Sequence, residues 1–214
     1  NVDLLGGNPA ICSPSGSTSC SSQSTYQTVG TNNGVNTQYS FPAPFYQYHK
    51  NAKQQYLFKA SELQAAGFSG GKITELSWET ISQNGATNNF YGFTIRMGCT
   101  NLSSINSWQS GLSTVFNPQN ITVNLGWNDF VFNTAYEWDG ISNLIVEVCF
   151  DNRNYGAYTF NWSTPYKITP FNSSISYRDD NVNACSFTGS PTGAVNKRPV
   201  TKFKSCPMVP DPSF

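Results

Sequence analysis

The chain has one histidine, His49, so any Ser-His-Asp or Cys-His catalytic set would have to be built on it. It lies between Tyr48 and Lys50 with no G-x-S-x-G segment nearby, and the expectation is a partly exposed structural histidine. Glycoside hydrolysis needs a pair of carboxylates instead. Glu75 and Glu79 share one strand-like stretch, and Glu137, Asp139 and Glu147 flank an apolar one. None has a setting that would raise its pKa, and no catalytic residue is assigned. Gly67, Gly70 and Gly71 follow a helical segment, the reverse of the order in a phosphate-cradling turn. The chain is expected to be no enzyme.

Binding chemistry is better represented. Asp179-Asp180-Asn181-Val182-Asn183 gathers oxygen ligands in one loop, and Asp151-Asn152-Arg153-Asn154 does so next to Cys149. Calcium takes six to eight oxygens, so Asp179, Asp180, Asn181 and Asn183 are the candidate ligands of a structural ion. Asx turns that satisfy their own backbone are the alternative, and no other cofactor is expected. Among the aromatics, Trp108 and Trp162 stand in polar surroundings and Tyr155 follows Asn154 in a loop. Such rings suit stacking on a sugar while amides bond its hydroxyls. Trp78, Trp127 and Trp138 adjoin strand-like apolar residues and are expected in the core.

Twelve Lys+Arg balance twelve Asp+Glu, and only 11% of the 214 residues are charged. Polyanion binding leaves a basic excess, so nucleic acid is an unexpected partner. The local group Lys197, Arg198, Lys202 and Lys204 reads as a solvated strand edge. Asn, Ser, Thr and Gln supply the solubility, as suits an extracellular protein. No apolar run approaches the roughly 20 residues of a membrane-spanning helix. Sequons occur at Asn101, Asn120, Asn161 and Asn172.

Six cysteines, Cys12, Cys20, Cys99, Cys149, Cys185 and Cys206, occur without a C-x-x-C pair. Wide spacing favours disulfides made in an oxidising compartment. Of the possible connectivities, Cys12–Cys20, Cys149–Cys185 and Cys99–Cys206 is the preferred set, the last by elimination. The Cys149–Cys185 loop of about 35 residues adds roughly 3–4 kcal/mol on a chain-entropy model.

The elements that position these groups are mostly strands. Residues 1–36, rich in Ser, Thr and Asn, read as an irregular N-terminal arm; 37–206 form the folded domain; 207–214 are a proline-rich linker towards a following domain. Strands are expected at 54–59, 73–81, 93–97, around 130–132, and at 144–150 as the doubly buried central strand. Shorter ones are expected near 112–116, 120–125, 157–162, 173–178 and 198–205. One short helix, capped by Ser61 and stopped by Gly67, joins two of them. The fold class is therefore an all-β, jelly-roll-like antiparallel sandwich with one connecting helix and disulfide staples.

Three segments in the order 55–67, 126–128 and 136–150, namely QYLFKASELQAAG, GWN and YEWDGISNLIVEVCF, resemble a β-rich module of Bacteroidota cell-surface proteins. Proteins of that kind leave the cell by type IX secretion and include gliding-motility adhesins. The resemblance implies a secreted, outer-surface location and an adhesive role, with a surface glycan or other extracellular ligand and neighbouring domains as partners. It transfers no catalytic or binding motif. Carbohydrate binding beside a secreted hydrolase, or a spacer without a ligand, are the alternatives.

Overall fold

The computed structural model describes residues 12, 20, 26–36, 43–46, 48–83, 87–154 and 162–207. In chain order the elements are β1 (Gln27–Val29), β2 (Gly34–Val35), β3 (Asn51–Phe58), helix α1 (Ala60–Ala65), β4 (Gly71–Thr80), β5 (Asn89–Thr100), β6 (Ser113–Thr122) and β7 (Gly126–Trp138). There follow β8 (Asn143–Asp151), β9 (Pro165–Ile168), β10 (Ser174–Asp179), a 3-10 turn at Ala184–Ser186, β11 (Gly193–Val195), β12 (Lys197–Pro199) and β13 (Thr201–Pro207).

Two antiparallel sheets face each other. One runs β1-β13-β4-β7 and the other β11-β10-β3-β8-β5-β6, while β12-β9-β2 forms a small third sheet. Consecutive long strands alternate between the layers, except for the β5–β6 hairpin, which is jelly-roll connectivity. The expected fold class is the one that forms.

Alternation along the strands builds the core. β3 turns Tyr56 and Phe58 inward, β8 turns Leu144, Val146, Val148 and Phe150 inward, and the other sheet replies with Leu76, Trp78, Phe130, Tyr136 and Phe203. Phe45 sits among them, edge-on to Trp78 at 6.3 Å and stacked on Phe93 at 6.1 Å. Such ring pairs add to simple area burial. β8 is flanked by β3 and β5 and is buried from Leu144 to Phe150, as its apolar run predicts.

Several expectations need correction. The irregular arm does not extend to 36, since β1 pairs with β13 and β2 with β9, burying Val29 and Asn36. The two strands expected at 112–116 and 120–125 are the single strand β6, and 198–205 divides into β12 and β13 at Val200. The expected 157–162 strand lies outside the described residues, apart from Trp162. Lys59, rather than Ser61, precedes the helix as its cap position, and its N–H donates to Glu62 Oε2 at 3.1 Å.

The cysteines pair as Cys12–Cys99, Cys20–Cys206 and Cys149–Cys185, and none is free. Of the expected pairs Cys149–Cys185 forms; Cys12–Cys20 and Cys99–Cys206 do not. A Cys12–Cys20 bond would only have closed a short loop on itself. The actual bonds tie the N-terminal segment to the ends of β5 and β13, one in each sheet.

The basic group near the end is no solvated edge. Arg198 is fully buried. It donates to the Leu57 carbonyl at 2.7 Å and forks onto both oxygens of Glu62 at 2.8 and 2.9 Å, with its guanidinium 4.1 Å from the centre of the Phe58 ring. Lys204 pairs with Glu75 at 3.0 Å, and Lys197 lies over Tyr166. These cations pin β12 and β13 to their neighbours.

Candidate functional site

β6 and β7 are the outer strands of the two sheets on the same side of the sandwich. Between them opens a cleft of about 270 Å³. Phe116, Ile121 and Phe130 supply its apolar lining, and Thr122, Asn124, Asn128, Asp129 and Trp127 its polar and aromatic lining. The volume is just under the range of roughly 300–1,000 Å³ of small-ligand sites, and the lining is more polar than theirs.

The local sequence explains the geometry. Phe130 and Phe132 on β7 point into the core, so alternation turns Trp127, Asp129 and Val131 the other way. Gly126, at φ +90°, adopts the turn conformation that precedes Trp127. Asn128 fastens that turn: its amide donates to the carbonyls of Asn124 at 2.9 Å and Gly126 at 3.0 Å, and its oxygen accepts from the Asn124 N–H at 2.8 Å. Thr80 adds a hydroxyl bond to the Asn124 carbonyl. The Trp127 ring is therefore held on a rigid turn, half-buried, with the Lys202 ammonium 3.7 Å from its centre.

A polar network continues over the outer face of the four-stranded sheet. The Tyr26 hydroxyl donates to Glu75 Oε2 at 2.6 Å, and Lys204 neutralises Glu75 from its other oxygen. Burial first, then the bond to Glu75 and the charge of Asp129, push the Tyr26 hydroxyl far above its ordinary pKa. It stays a neutral donor. Among the described residues Asp129 is the single carboxylate lining the cleft, an acceptor near an aromatic side chain, with amide and hydroxyl groups close by. This set can hold a polar ring by stacking and hydrogen bonds.

The structure separates the residues singled out from sequence. Trp162 is 1% exposed, packs in the core and donates its indole N–H to Thr87 O at 3.2 Å. It offers no face to a sugar, which corrects its assignment as a surface platform. Trp108 is half-buried: its indole N–H bonds Gly189 O at 2.8 Å, and the Lys53 ammonium lies 4.6 Å from the ring centre. Tyr155 lies outside the described residues. Trp78 and Trp138 are core residues as expected. Trp127, expected in the core, is the one at the cleft. The alternation set by Phe130 and Phe132 was the signal for it, since Trp127 lies an odd number of positions from both.

The two oxygen-rich loops come together at one end of β3, β8 and β10, where Asn51 stands opposite both Asp151 and Asp179. Arg153 joins them, pairing with Asp151 at 2.7 Å and donating to Asn181 O at 3.0 Å. Asp179 Oδ1 accepts the backbone N–H groups of Asn181 at 2.6 Å and Val182 at 2.8 Å, which hold its carboxyl below the usual range. Asp180 accepts from Lys50 N–H at 3.0 Å and sits 3.4 Å from His49; Asn183 accepts from Cys185 N–H at 2.9 Å. Those of Asp179 and Asn183 are Asx turns closed on their own backbone, while Asp180 is held by the distant Lys50 N–H. Among the described residues, the one grouping of three acidic, cysteine or histidine ligand atoms is Cys12, Cys99 and Asp139, and its two sulfurs are bonded to each other. His49 itself stacks on Tyr46.

Compared with known proteins, the chain matches no family model and no curated protein. Among the described residues, no helix is long and apolar enough to cross a membrane.

Proposed function

We propose that this chain is a non-catalytic recognition module of a secreted or surface-anchored bacterial protein, and that it binds saccharide through the β6–β7 cleft. The observation that carries this reading is the half-buried Trp127 on an immobilised turn at the rim of a cleft of about 270 Å³, with Asp129, Asn124 and Thr122 along it. A rigid ring with amide, hydroxyl and carboxylate partners loses little entropy on binding a pyranose. Among the described residues the cleft is lined by one carboxylate, Asp129, which suits binding rather than glycoside hydrolysis. Three disulfides with no free cysteine agree with an oxidising, extracellular setting. The resemblance of segments 55–67, 126–128 and 136–150 to Bacteroidota surface modules favours adhesion over service to a hydrolase.

The test is a titration followed by NMR, with neutral di- to hexasaccharides added to the labelled protein. The Trp127 indole N–H signal should shift with the amides of residues 121–129, while Trp78 and Trp138 signals stay in place. Shifts confined to other loops would reject the cleft as the site.

A further inference from the structure

The outer face of the six-stranded sheet carries a different arrangement. Strand alternation turns Gln55, Glu147 and Arg96 outward in one row across β3, β8 and β5, with Lys53 in the next row. Glu147 is almost fully buried, its side chain 4% exposed. It accepts from Arg96 Nη1 at 2.5 Å and Gln55 Nε2 at 2.7 Å, with Lys53 Nζ at 3.5 Å. A buried carboxylate needs one cation to be tolerated. Here there are two, so one positive charge is left without a counterpart among the described residues.

That charge is not spread evenly. Lys53 also donates to Phe187 O at 3.0 Å and lies over the Trp108 ring, so its ammonium is fully engaged. Arg96 makes its contacts through Nη1 alone, to Glu147 and more weakly to Cys149 Sγ at 3.9 Å. Its Nε–H and second terminal nitrogen, the side-on fork that fits a planar carboxylate with two parallel bonds, have no protein partner among the described residues. The side chain is 26% exposed, so the fork is accessible. The exposed Thr114 stands opposite Arg96 on β6.

The surroundings are held rigidly. Gln55 and Gln109 exchange two bonds, Nε2 to O at 2.8 Å and N–H to Oε1 at 2.9 Å, which fixes the loop bearing Trp108. The Cys149–Cys185 disulfide fixes the loop bearing Phe187. Glu147 orients Arg96 from below. A preorganised cation with its planar fork open is a receptor for a carboxylate.

We propose that Arg96 is a second ligand-binding residue, which takes the carboxylate of an acidic saccharide, a uronate, on the opposite sheet from the Trp127 cleft. Glu147 and Lys53 are positioning residues for it. The saccharide class rests on the proposed function; the carboxylate site itself does not.

The experiment is calorimetric titration of the full chain with a tetramer of glucuronate and with its neutral glucose counterpart, at fixed ionic strength. Native protein should bind the acidic oligomer at least tenfold more tightly than the neutral one. Arg96→Lys keeps the charge that Glu147 needs and removes the fork. It should keep the native melting temperature within a few degrees and lose tenfold or more in affinity for the acidic oligomer. Trp127→Ala should keep a tenfold or greater preference for the acidic oligomer over the neutral one, which separates this site from the cleft. Equal affinity for the two oligomers, or unchanged affinity in a folded Arg96→Lys, would overturn the proposal.

Discussion

Arg198→Met removes the most deeply buried charge among the described residues. In the native protein Arg198 holds both oxygens of Glu62 and the Leu57 carbonyl within 2.7–2.9 Å. Methionine fills much of the space over Phe58 but offers no donor, which leaves Glu62, half-buried, without its cation. Breaking a buried pair from one side costs roughly 3–5 kcal/mol, which in a chain of this size lowers Tm by roughly 6–20 °C. Glu62→Gln should cost as much or more, because the stranded charge is then wholly enclosed. The double variant strands neither charge and should be more stable than the sum of the two losses predicts, a coupling of about 2 kcal/mol or more.

The pH dependence has a defined sign. Burial pushes the Glu62 carboxyl up, but the bond and charge of Arg198, with the Lys59 N–H, hold it below its ordinary value. Burial also lowers the Arg198 guanidinium, with Glu62 opposing; its ordinary pKa is so high that it stays charged at neutral pH. A depressed carboxyl stabilises the fold above the unfolded value of about 4.3 and loses that contribution as pH falls through the folded value. Urea unfolding of the four proteins at pH 7 and pH 3 is the assay. The stability gap between native and Arg198→Met should narrow at pH 3. A loss under about 1 kcal/mol at pH 7, or strictly additive variants, would refute the reasoning.

Trp162→Ala should cost roughly 3–5 kcal/mol and Trp127→Ala under about 2 kcal/mol, read as melting shifts; similar shifts would contradict the burial difference. Non-reducing peptide mapping should find Cys12 linked to Cys99 and Cys20 to Cys206, with no thiol labelled under denaturing conditions. Calcium should leave the melting temperature within about 1 °C of that in chelator, because backbone donors already settle Asp179 and Asp180; a rise of several degrees, lost in Asp179→Ala/Asp180→Ala, would show that the loop takes an ion.

Much of the scaffold could be read from the sequence, because period-two alternation and turn residues are local signals. The apolar run from Leu144 to Phe150 led directly to the central strand. What alternation cannot report is which distant residue completes a local group. Arg198 looks like one more basic residue in a polar segment until Glu62, 136 residues away in the chain, is brought to it. The cysteine pairing misled for the same reason: proximity in sequence favoured Cys12–Cys20, while the sheets place Cys12 at β5 and Cys20 at β13. The polarity of sequence neighbours misplaces Trp127 and Trp162. Strand parity is the better guide, since it follows which face each ring occupies. Trp162 illustrates the other limit. Its polar neighbours Ser163 and Thr164 are themselves buried, so a polar context did not mean a wet one.

Saccharide recognition at Trp127 carries the proposed function. The direct measurement is binding of fluorescently labelled native protein and Trp127→Ala to an immobilised panel of neutral and acidic glycans. The native chain should retain a defined subset of neutral glycans, and Trp127→Ala, folded by circular dichroism, should lose that subset. Retention of the same glycans by the variant, or no binding by the native chain across the panel, would contradict it.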